Sequence, residues 1–222
     1  MQKRLAILFD MDGVITDSMP FHFQAWEQAF SSVGVAVSQE DIYVREGEKG
    51  EVTALEILGV RGIPNPNNNE VLALLRKKEE IFRQIAMTRL FPGVVELLED
   101  LRKRENSLAL VTGTSRKEAE KLLPIGFLDR FDVVVTGDIV LRGKPHPDPY
   151  LKAVRELEAD SQKCVVIENS PNGIRSAKGA GLYCIALTTS LTRERLGEAD
   201  RVVDSLAEAR EALETFRGTS GE

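Results

Sequence analysis

Features that mark several classes of protein are missing from this sequence of 222 residues. Its two cysteines, Cys164 and Cys184, lack Cys-x-x-Cys spacing and each lies in an apolar run, which favours core positions over a disulfide or a metal site. No apolar run approaches the length of a membrane span. The first run, residues 5–9, ends at Asp10, which is unlike a signal peptide. We therefore expect a cytoplasmic protein without a membrane partner.

An excess of basic residues is also missing. The chain has 29 lysines and arginines against 35 aspartates and glutamates, a net charge of -6. This balance disfavours nucleic acid as a partner, although a locally positive site can still bind a small anion. The hydrophobic fraction of 42% and the charged fraction of 29% are ordinary for a folded globular protein. Nothing in the sequence indicates an oligomer, so a monomer is the simplest expectation.

Short apolar runs alternate with segments of helical periodicity along most of the chain. The pattern predicts a doubly wound α/β fold, in which parallel strands are joined by crossover helices. The predicted strands are residues 5–9, 107–111, 133–136, 164–167 and 183–187. The predicted crossover helices are residues 94–104, 116–123, 149–157 and 171–180.

The stretch between the first two strands is too long for a simple crossover. It shows helical patterns at residues 21–33, 52–58 and 70–87, a breaker-rich loop at 59–69 and no convincing strand. Asparagines at the end of this loop are typical helix caps. We therefore predict a core of residues 1–17 and 89–222, with a helical cap domain of residues 18–88 inserted above the carboxyl ends of the strands.

Two carboxylates follow the first strand in Asp10-Met-Asp12-Gly13. Period-two alternation in an extended segment would place both on the same side, where they repel unless a cation or a proton lies between them. One interpretation is a divalent-ion site with a nucleophilic carboxylate. The alternative is an Asp-rich turn in which Gly13 supplies the positive φ angle.

Two further segments suit a phosphate. The second strand runs into Thr112-Gly113-Thr114 and then a helix, where hydroxyls and free backbone N–H groups can bind an anion, although such a junction is also a common helix cap. The proline-rich loop of residues 142–149 holds Lys144. A stiff loop can hold a lysine against a dianion, and the alternative is a solvated lysine in a turn.

A fourth segment, Glu168-Asn169-Ser170, again follows a predicted strand. Carboxylate and amide oxygens are hard ligands that suit magnesium. Alternatively, Asn169 or Ser170 caps the next helix and Glu168 is solvated. Each segment alone is a weak signal, but all four fall at carboxyl ends of strands in one predicted sheet.

The order of these motifs, with a helical insert after the first, resembles the haloacid dehalogenase (HAD) superfamily with a C1-type cap. The resemblance covers about residues 4–210 and is greatest to the β-phosphoglucomutase-like phosphatase group, which includes inorganic pyrophosphatase-like members. It implies that Asp10 is the nucleophile that forms an aspartyl-phosphate, and that Asp12 is the general acid and base. It also implies that Thr112, with Gly113 and Thr114, binds substrate and that Lys144 neutralises the transferring phosphoryl group.

The resemblance implies a magnesium cofactor, bound by Asp10, the backbone carbonyl of Asp12, Glu168 and Asn169. Many relatives have an aspartate where this chain has Asn169, and an amide brings no charge, so lower magnesium affinity is expected. The cap residues that the resemblance assigns to substrate selection are His22, Trp26, Glu46, Lys49 and Lys78. Without it, these residues belong to ordinary amphipathic helices and solvated faces.

The function that these roles imply is a phosphohydrolase acting on a small phosphorylated metabolite or on pyrophosphate. The alternative is a β-phosphoglucomutase-type sugar phosphate mutase, which would share every core residue. The arginine that those mutases use for the distal phosphate has no match here, since Lys49 or Gly50 stands in its place. A non-catalytic phosphate-binding domain is a lesser alternative.

Overall fold

Six short segments form one parallel sheet in the computed structural model, which describes residues 4–63 and 66–216. The strands are β1 (Ala6–Phe9), β2 (Ser107–Val111), β3 (Val133–Val135), β4 (Cys164–Glu168), β5 (Tyr183–Leu187) and β6 (Arg201–Val203). Their order is β3-β2-β1-β4-β5-β6, and every pairing is parallel. The predicted α/β class is confirmed. The sequence pattern did not predict β6, whose three residues include an exposed arginine.

Helices surround this sheet and fill the segment after β1. They are α1 (Met19–Ser31), α2 (Gln39–Tyr43), α3 (Gly50–Val60), α4 (Asn68–Ile85), α5 (Val94–Lys103), α6 (Arg116–Leu122), α7 (Asp148–Glu156), α8 (Pro171–Gly179) and α9 (Leu206–Thr215). The predicted helices are present with ends shifted by one or two residues, and α2 and α9 were not predicted. Asn67 caps α4 through a reciprocal pair of hydrogen bonds with Glu70, as asparagine at this position suggests.

Apolar residues cover both faces of the sheet. On one face, leucines of α5 and α9 pack against Ile7 and Phe9 of β1. On the other face, Tyr150 of α7 and Ile174 of α8 pack against the remaining strand residues. Cys164 and Cys184 are free and buried in this second cluster. Because strand residues are buried on both faces, β1 and β4 are apolar almost throughout.

Helices α1 to α4 have an apolar cluster of their own, which includes Trp26, Phe30, Ile57 and Leu74. The two segments that connect these helices to the sheet run side by side. Asp17 N donates to the Arg89 carbonyl at 2.8 Å, and the two side chains form an ion pair at 3.1 Å. The predicted boundaries at residues 17/18 and 88/89 fall at these connections, and the division into two domains stays a prediction.

Within residues 4–63 and 66–216, no helix is both long and apolar enough to cross a membrane.

Candidate active site

The end of β1 delivers Asp10 to the carboxyl edge of the sheet, next to the ends of β2 and β4. Asp10 is buried, and its N–H donates to the carbonyl of Ile167 in β4 at 3.0 Å. Gly13 turns the chain with a φ of 88°, which an L residue rarely adopts. The chain therefore leaves the sheet sharply after Asp10 and Asp12, so both aspartates stay at this edge.

Lys144 bridges the two carboxylates that end the central strands. Its Nζ lies 2.5 Å from Asp10 Oδ1 and 2.7 Å from Glu168 Oε1, and it donates to the Val111 carbonyl at 3.2 Å. The side chain of Lys144 is 1% exposed. Lys144 is therefore a buried lysine between two carboxylates, and the alternative of a solvated lysine in a turn is wrong.

Glu168 is fully buried and has a donor at each oxygen. Its Oε1 accepts from Lys144 and from the Tyr150 hydroxyl at 2.9 Å, while its Oε2 accepts from the N–H groups of Asn169 and Ser170 at 2.8 and 3.1 Å. The alternative of a solvated Glu168 is wrong. Since these donors occupy the lone pairs of the carboxylate, Glu168 fixes the position of Lys144, and its role as a metal ligand stays a prediction.

Two glycines allow these acidic and amide groups to come together. A Cβ atom at Gly173 would lie 1.7 Å from Glu168 Oε1, and one at Gly13 would lie 2.0 Å from Asn169 Nδ2. Both distances are far shorter than van der Waals contact, and any larger residue at either position would displace the site.

Asn169 presents an unused oxygen. Its Nδ2 donates to Ser190 Oγ at 2.9 Å, which fixes the amide orientation, and its buried Oδ1 has no hydrogen-bond partner among the described residues. A buried oxygen without a donor is costly unless a ligand satisfies it. Three oxygens would form a donor set that fits a hard divalent cation: this Asn169 Oδ1, a carboxylate oxygen of Asp10 and the Asp12 carbonyl.

No group of three or more His, Cys, Asp and Glu side chains forms a metal cluster in the described part of the chain. This agrees with the donor set above, which contains one side-chain carboxylate, one amide and one backbone carbonyl. Asn169 also caps nothing, because Ser170 is the residue whose hydroxyl accepts from Gly173 N at the start of α8.

The Asp12 carboxylate points away from Lys144, into a group of hydroxyls and His22. Its Oδ1 accepts from Ser18 Oγ at 2.5 Å and lies 3.3 Å from His22 Nε2, and its Oδ2 accepts from Thr114 Oγ1 at 3.0 Å. Burial alone would raise the pKa of Asp12, but the His22 charge and these hydrogen bonds outweigh it and lower the pKa to about 2. Asp12 is therefore ionised without substrate.

The segment after β2 surrounds Asp12 with threonine hydroxyls. Thr112 Oγ1 lies 3.5 Å from Asp12 Oδ2 and accepts from Thr114 N at 3.0 Å. Ser115 stands at the N-cap position of α6 but makes no side-chain cap bond. The plain helix-cap alternative is therefore wrong for the Thr112 and Thr114 hydroxyls, because both are directed toward Asp12 Oδ2.

Burial raises the pKa of Asp10 well above its ordinary value, and the charges of Glu168 and Asp12 add to this effect while Lys144 opposes it. Burial likewise disfavours the charged form of Lys144, but Asp10 and Glu168 outweigh burial and raise the lysine pKa. Lys144 is therefore protonated, and its charge opposes the effect of burial on Asp10.

A cavity of about 370 Å³ separates the helical segment from the sheet edge, and all five predicted cap residues line it. Lys78 Nζ lies 3.4 Å from His22 Nδ1, and it stands over the rings of Phe82 and Trp26 at 4.9 and 5.6 Å from their centroids. Burial lowers the pKa of Lys78. Lys78 and His22 thus connect the cavity to Asp12 and are not on a solvated face.

Glu46 and Lys49 lie on the loop between α2 and α3, which covers the site. Burial raises the pKa of Glu46, while His22 and Lys78 oppose this shift. Lys49 is exposed at the cavity rim. Between them, a Cβ atom at Gly47 would lie 2.7 Å from Lys144 Cδ, so this loop rests directly on the buried lysine.

Several site residues were not found by sequence reasoning. Ser18 donates a hydrogen bond to Asp12, and Tyr150 donates one to Glu168. Ser190 orients Asn169. A serine before α1 suggests a helix cap, yet Ser18 makes no side-chain cap bond. Glu118 of α6 also lines the cavity, and its helical position carried no signal for that location.

The comparisons with known proteins agree with this fold and site. The family model for haloacid dehalogenase-like hydrolases matches residues 5–181. A phosphorylated carbohydrates phosphatase from Thermotoga maritima is 35% identical over 80% of this chain and 82% of its own length. The chain belongs to the haloacid dehalogenase-like hydrolase family, and it is an enzyme of the phosphatase type within that family.

Two solved structures share the fold over nearly the whole chain. A putative β-phosphoglucomutase from Bacteroides vulgatus has a TM-score of 0.84 and 28% identity, covering 97% of this chain and 89% of its own. CbbY from Rhodobacter sphaeroides, in complex with xylulose-(1,5)bisphosphate, has a TM-score of 0.74 and 30% identity, covering 93% and 96%. The β-phosphoglucomutase-like group predicted from the motifs is thus confirmed.

Proposed function

We propose that this protein is a magnesium-dependent phosphatase that hydrolyses small phosphorylated carbohydrates through an aspartyl-phosphate on Asp10. The observation that carries the proposal is the buried Lys144 bridge between Asp10 and Glu168 at the carboxyl edge of the sheet. A charged lysine in this position serves two purposes: it opposes the effect of burial and so favours the ionised, nucleophilic form of Asp10, and it attracts the charge of an incoming phosphoryl group.

Asp10 attacks the phosphorus atom with Oδ2, which accepts no hydrogen bond from the described residues, while Lys144 holds Oδ1. The Thr112 hydroxyl and the backbone N–H of Gly113 lie at the end of β2, where they bind phosphoryl oxygens, and the Thr114 N–H joins them when it exchanges its bond to Thr112 Oγ1 for one to the substrate. The P–O bond to the sugar breaks as the bond to Asp10 forms, and water then releases phosphate from Asp10. Most of the catalysis in this scheme is positioning and charge stabilisation.

Magnesium would be held by an Asp10 oxygen, the Asp12 carbonyl and the free Oδ1 of Asn169, with Glu168 acting through Lys144 and through water. When bound, the ion supplies positive charge that screens the phosphoryl oxygens from Asp10. Ser190 keeps the Asn169 amide turned so that oxygen, and not nitrogen, faces this position.

Asp12 acts as the general acid and then as the general base. With substrate bound, the phosphoryl charge beside Asp12 raises its pKa from about 2, which is the direction that proton donation to the leaving oxygen requires. The deprotonated carboxylate then accepts a proton from the attacking water. His22, with Nε2 toward Asp12 and Nδ1 toward Lys78, holds Asp12 between these steps.

The cavity favours a carbohydrate monophosphate over other phosphates. Trp26, Leu75 and Phe82 give it an apolar wall that pyrophosphate does not need. Glu46 and Glu118 also line it, and carboxylates accept hydrogen bonds from sugar hydroxyls. We favour hydrolysis over a mutase cycle because the arginine that the mutases use for the distal phosphate has no match in this chain. Residues 18–88 would act as the cap that closes this cavity.

A substrate panel tests the proposal. Sugar monophosphates, xylulose 1,5-bisphosphate, β-glucose 1-phosphate with glucose 1,6-bisphosphate primer, and pyrophosphate are each assayed for phosphate release and for sugar phosphate isomers, with magnesium and with EDTA. We expect magnesium-dependent phosphate release that is fastest with a monophosphate. Isomer formation without phosphate release would identify a mutase, and no reaction in any divalent metal would identify a binding domain.

A further inference from the structure

A partly buried hydrogen bond joins α8 to the loop that covers the cavity. Asn172 Nδ2 donates to Glu48 Oε1 at 2.7 Å and to the carbonyl of Val44 at 3.3 Å. Asn172 is 4% exposed, and its partners Glu48 and Val44 are half-buried, so this contact is partly sheltered from water. A charge-assisted hydrogen bond in such a place is stronger than one on the surface.

Each partner is fixed by its own part of the molecule. Thr53 of α3 is buried and donates its hydroxyl to Glu48 Oε2 at 3.2 Å. Asn172 lies in the first turn of α8, and Arg175 Nη1 is 3.5 Å from its Oδ1. The two loop atoms that Asn172 contacts, Glu48 Oε1 and the Val44 carbonyl oxygen, are both acceptors. Only the NH₂ group of the Asn172 amide can therefore face them. The contact is therefore a specific one between two ordered side chains.

The position of this pair connects the covering loop to the catalytic centre. Asn172 follows Glu168 and Asn169 by four and three residues. Glu48 follows Gly47, which rests on the Lys144 side chain and whose carbonyl oxygen would lie 3.2 Å from a Cβ atom at Gly113. Holding Glu48 at α8 thus holds Gly47 against Lys144 and Gly113, beside the catalytic centre.

We infer that Asn172 and Glu48 are positioning residues that hold the cap closed over the active site. The kinetic consequence rests on the phosphatase function proposed above, whereas the closure itself does not. Loss of a hydrogen bond to a charged group changes an equilibrium by about tenfold to a hundredfold. A cap without this bond opens more often, so substrate binds more weakly and KM rises.

Another contact between the same two regions provides a matched control. Arg195 and Glu40 form an ion pair, but their side chains are 57% and 56% exposed. Exposed pairs contribute little because water and salt screen them. E40Q therefore removes a contact between cap and core without removing a buried one.

The test compares wild type, N172D, E40Q and the double variant N172D/E48Q. Asparagine and aspartate have the same shape, and a carboxylate in the first turn of α8 suits the helix dipole, so N172D is expected to fold. It places two carboxylates against each other. In the double variant the amide introduced by E48Q can donate to the carboxylate introduced by N172D while its oxygen still accepts from Thr53. This restores the shorter bond with its direction reversed and leaves only the longer bond to the Val44 carbonyl broken.

Two readouts separate closure from chemistry. The single tryptophan of the chain, Trp26, is 6% exposed and lines the cavity, so acrylamide quenching of its fluorescence reports opening without any substrate. The kinetic readout is KM and kcat for the best sugar monophosphate. Thermal melting of each variant confirms folding.

For N172D we expect stronger quenching of Trp26 and a KM raised about tenfold, with kcat changed less. E40Q should match wild type in both readouts, and N172D/E48Q should regain at least a third of the wild-type kcat/KM. Quenching and KM within twofold of wild type in N172D, or an equal change in E40Q, would overturn the inference. If no variant, wild type included, hydrolyses any phosphate, the proposed function fails while the quenching result still decides closure.

Discussion

Replacing Lys144 with methionine removes the ammonium group that bridges Asp10 and Glu168 while keeping most of the side-chain volume. The bridge is 1% exposed at the lysine and joins its partners at 2.5 and 2.7 Å. Removing one partner of a buried ion pair costs about 3 to 5 kcal/mol because the remaining charge stays buried without compensation. For a protein of this size that corresponds to a fall in Tm of roughly 6 to 20 °C.

The loss of stability in Lys144→Met depends on pH in a defined direction. Burial raises the pKa of Asp10 in the folded protein, and loss of Lys144 raises it further, whereas an unfolded aspartate titrates near about 3.9. Between these two pKa values the folded variant binds more protons than the unfolded chain, so its stability falls as pH rises. The difference in Tm from wild type should therefore be largest at alkaline pH and shrink as the pH falls through the raised pKa of Asp10.

The assay is differential scanning calorimetry in EDTA, so that bound metal does not replace the missing charge. Lys178→Met is the matched control, because Lys178 pairs with Asp200 at 2.6 Å while 39% exposed. Surface pairs contribute about 0 to 1 kcal/mol. A Tm for Lys144→Met equal to that of the control, or a deficit that does not shrink on acidification, would refute the role assigned to the bridge.

Three other substitutions test separate parts of the site. Gly173→Ala should abolish most activity and destabilise the fold by about 1 to 3 kcal/mol, since its Cβ would overlap Glu168; melting and kinetics that match wild type would contradict this contact. Asn169→Asp should tighten magnesium binding in calorimetry because it adds a charge to the proposed site, and equal or weaker affinity would remove Asn169 from the ligand set. Lys78→Ala should raise KM more than it lowers kcat, and an unchanged KM on the preferred substrate would exclude Lys78 from substrate binding.

The parts of the fold that sequence alone could predict are those with strong local signals. β1 and β4 are buried on both faces and read as uninterrupted apolar runs, so Asp10 and Glu168 could be located at strand ends. Since parallel strands end at one edge of the sheet, their proximity followed as well. By contrast, β6 and α2 are too short for a periodic pattern, and they were missed.

The contacts that complete the site could not be read from the sequence because they join distant positions. Asn172 and Glu48 are 124 residues apart, and nothing in either local segment indicates the other. Lys78 lies on a helix rich in exposed charge, so only the packing of α1 against α4 brings it to His22. Glu118 of α6 lines the same cavity although it is 40 residues from Lys78 in the sequence, which is why the substrate preference depends on the structure.

The central claim is that Asp10 carries the phosphoryl group, and acid-quenched single turnover tests it most directly. Asp12→Ala is mixed with p-nitrophenyl phosphate and magnesium, because this ester leaves without a proton donor while the missing base slows release of the intermediate. Mass spectrometry of the quenched protein should locate a phosphoryl group on Asp10, and Asp10→Asn should show neither label nor turnover. A phosphoryl group on another residue, or turnover by Asp10→Asn above a few per cent of the wild-type rate, would contradict the account.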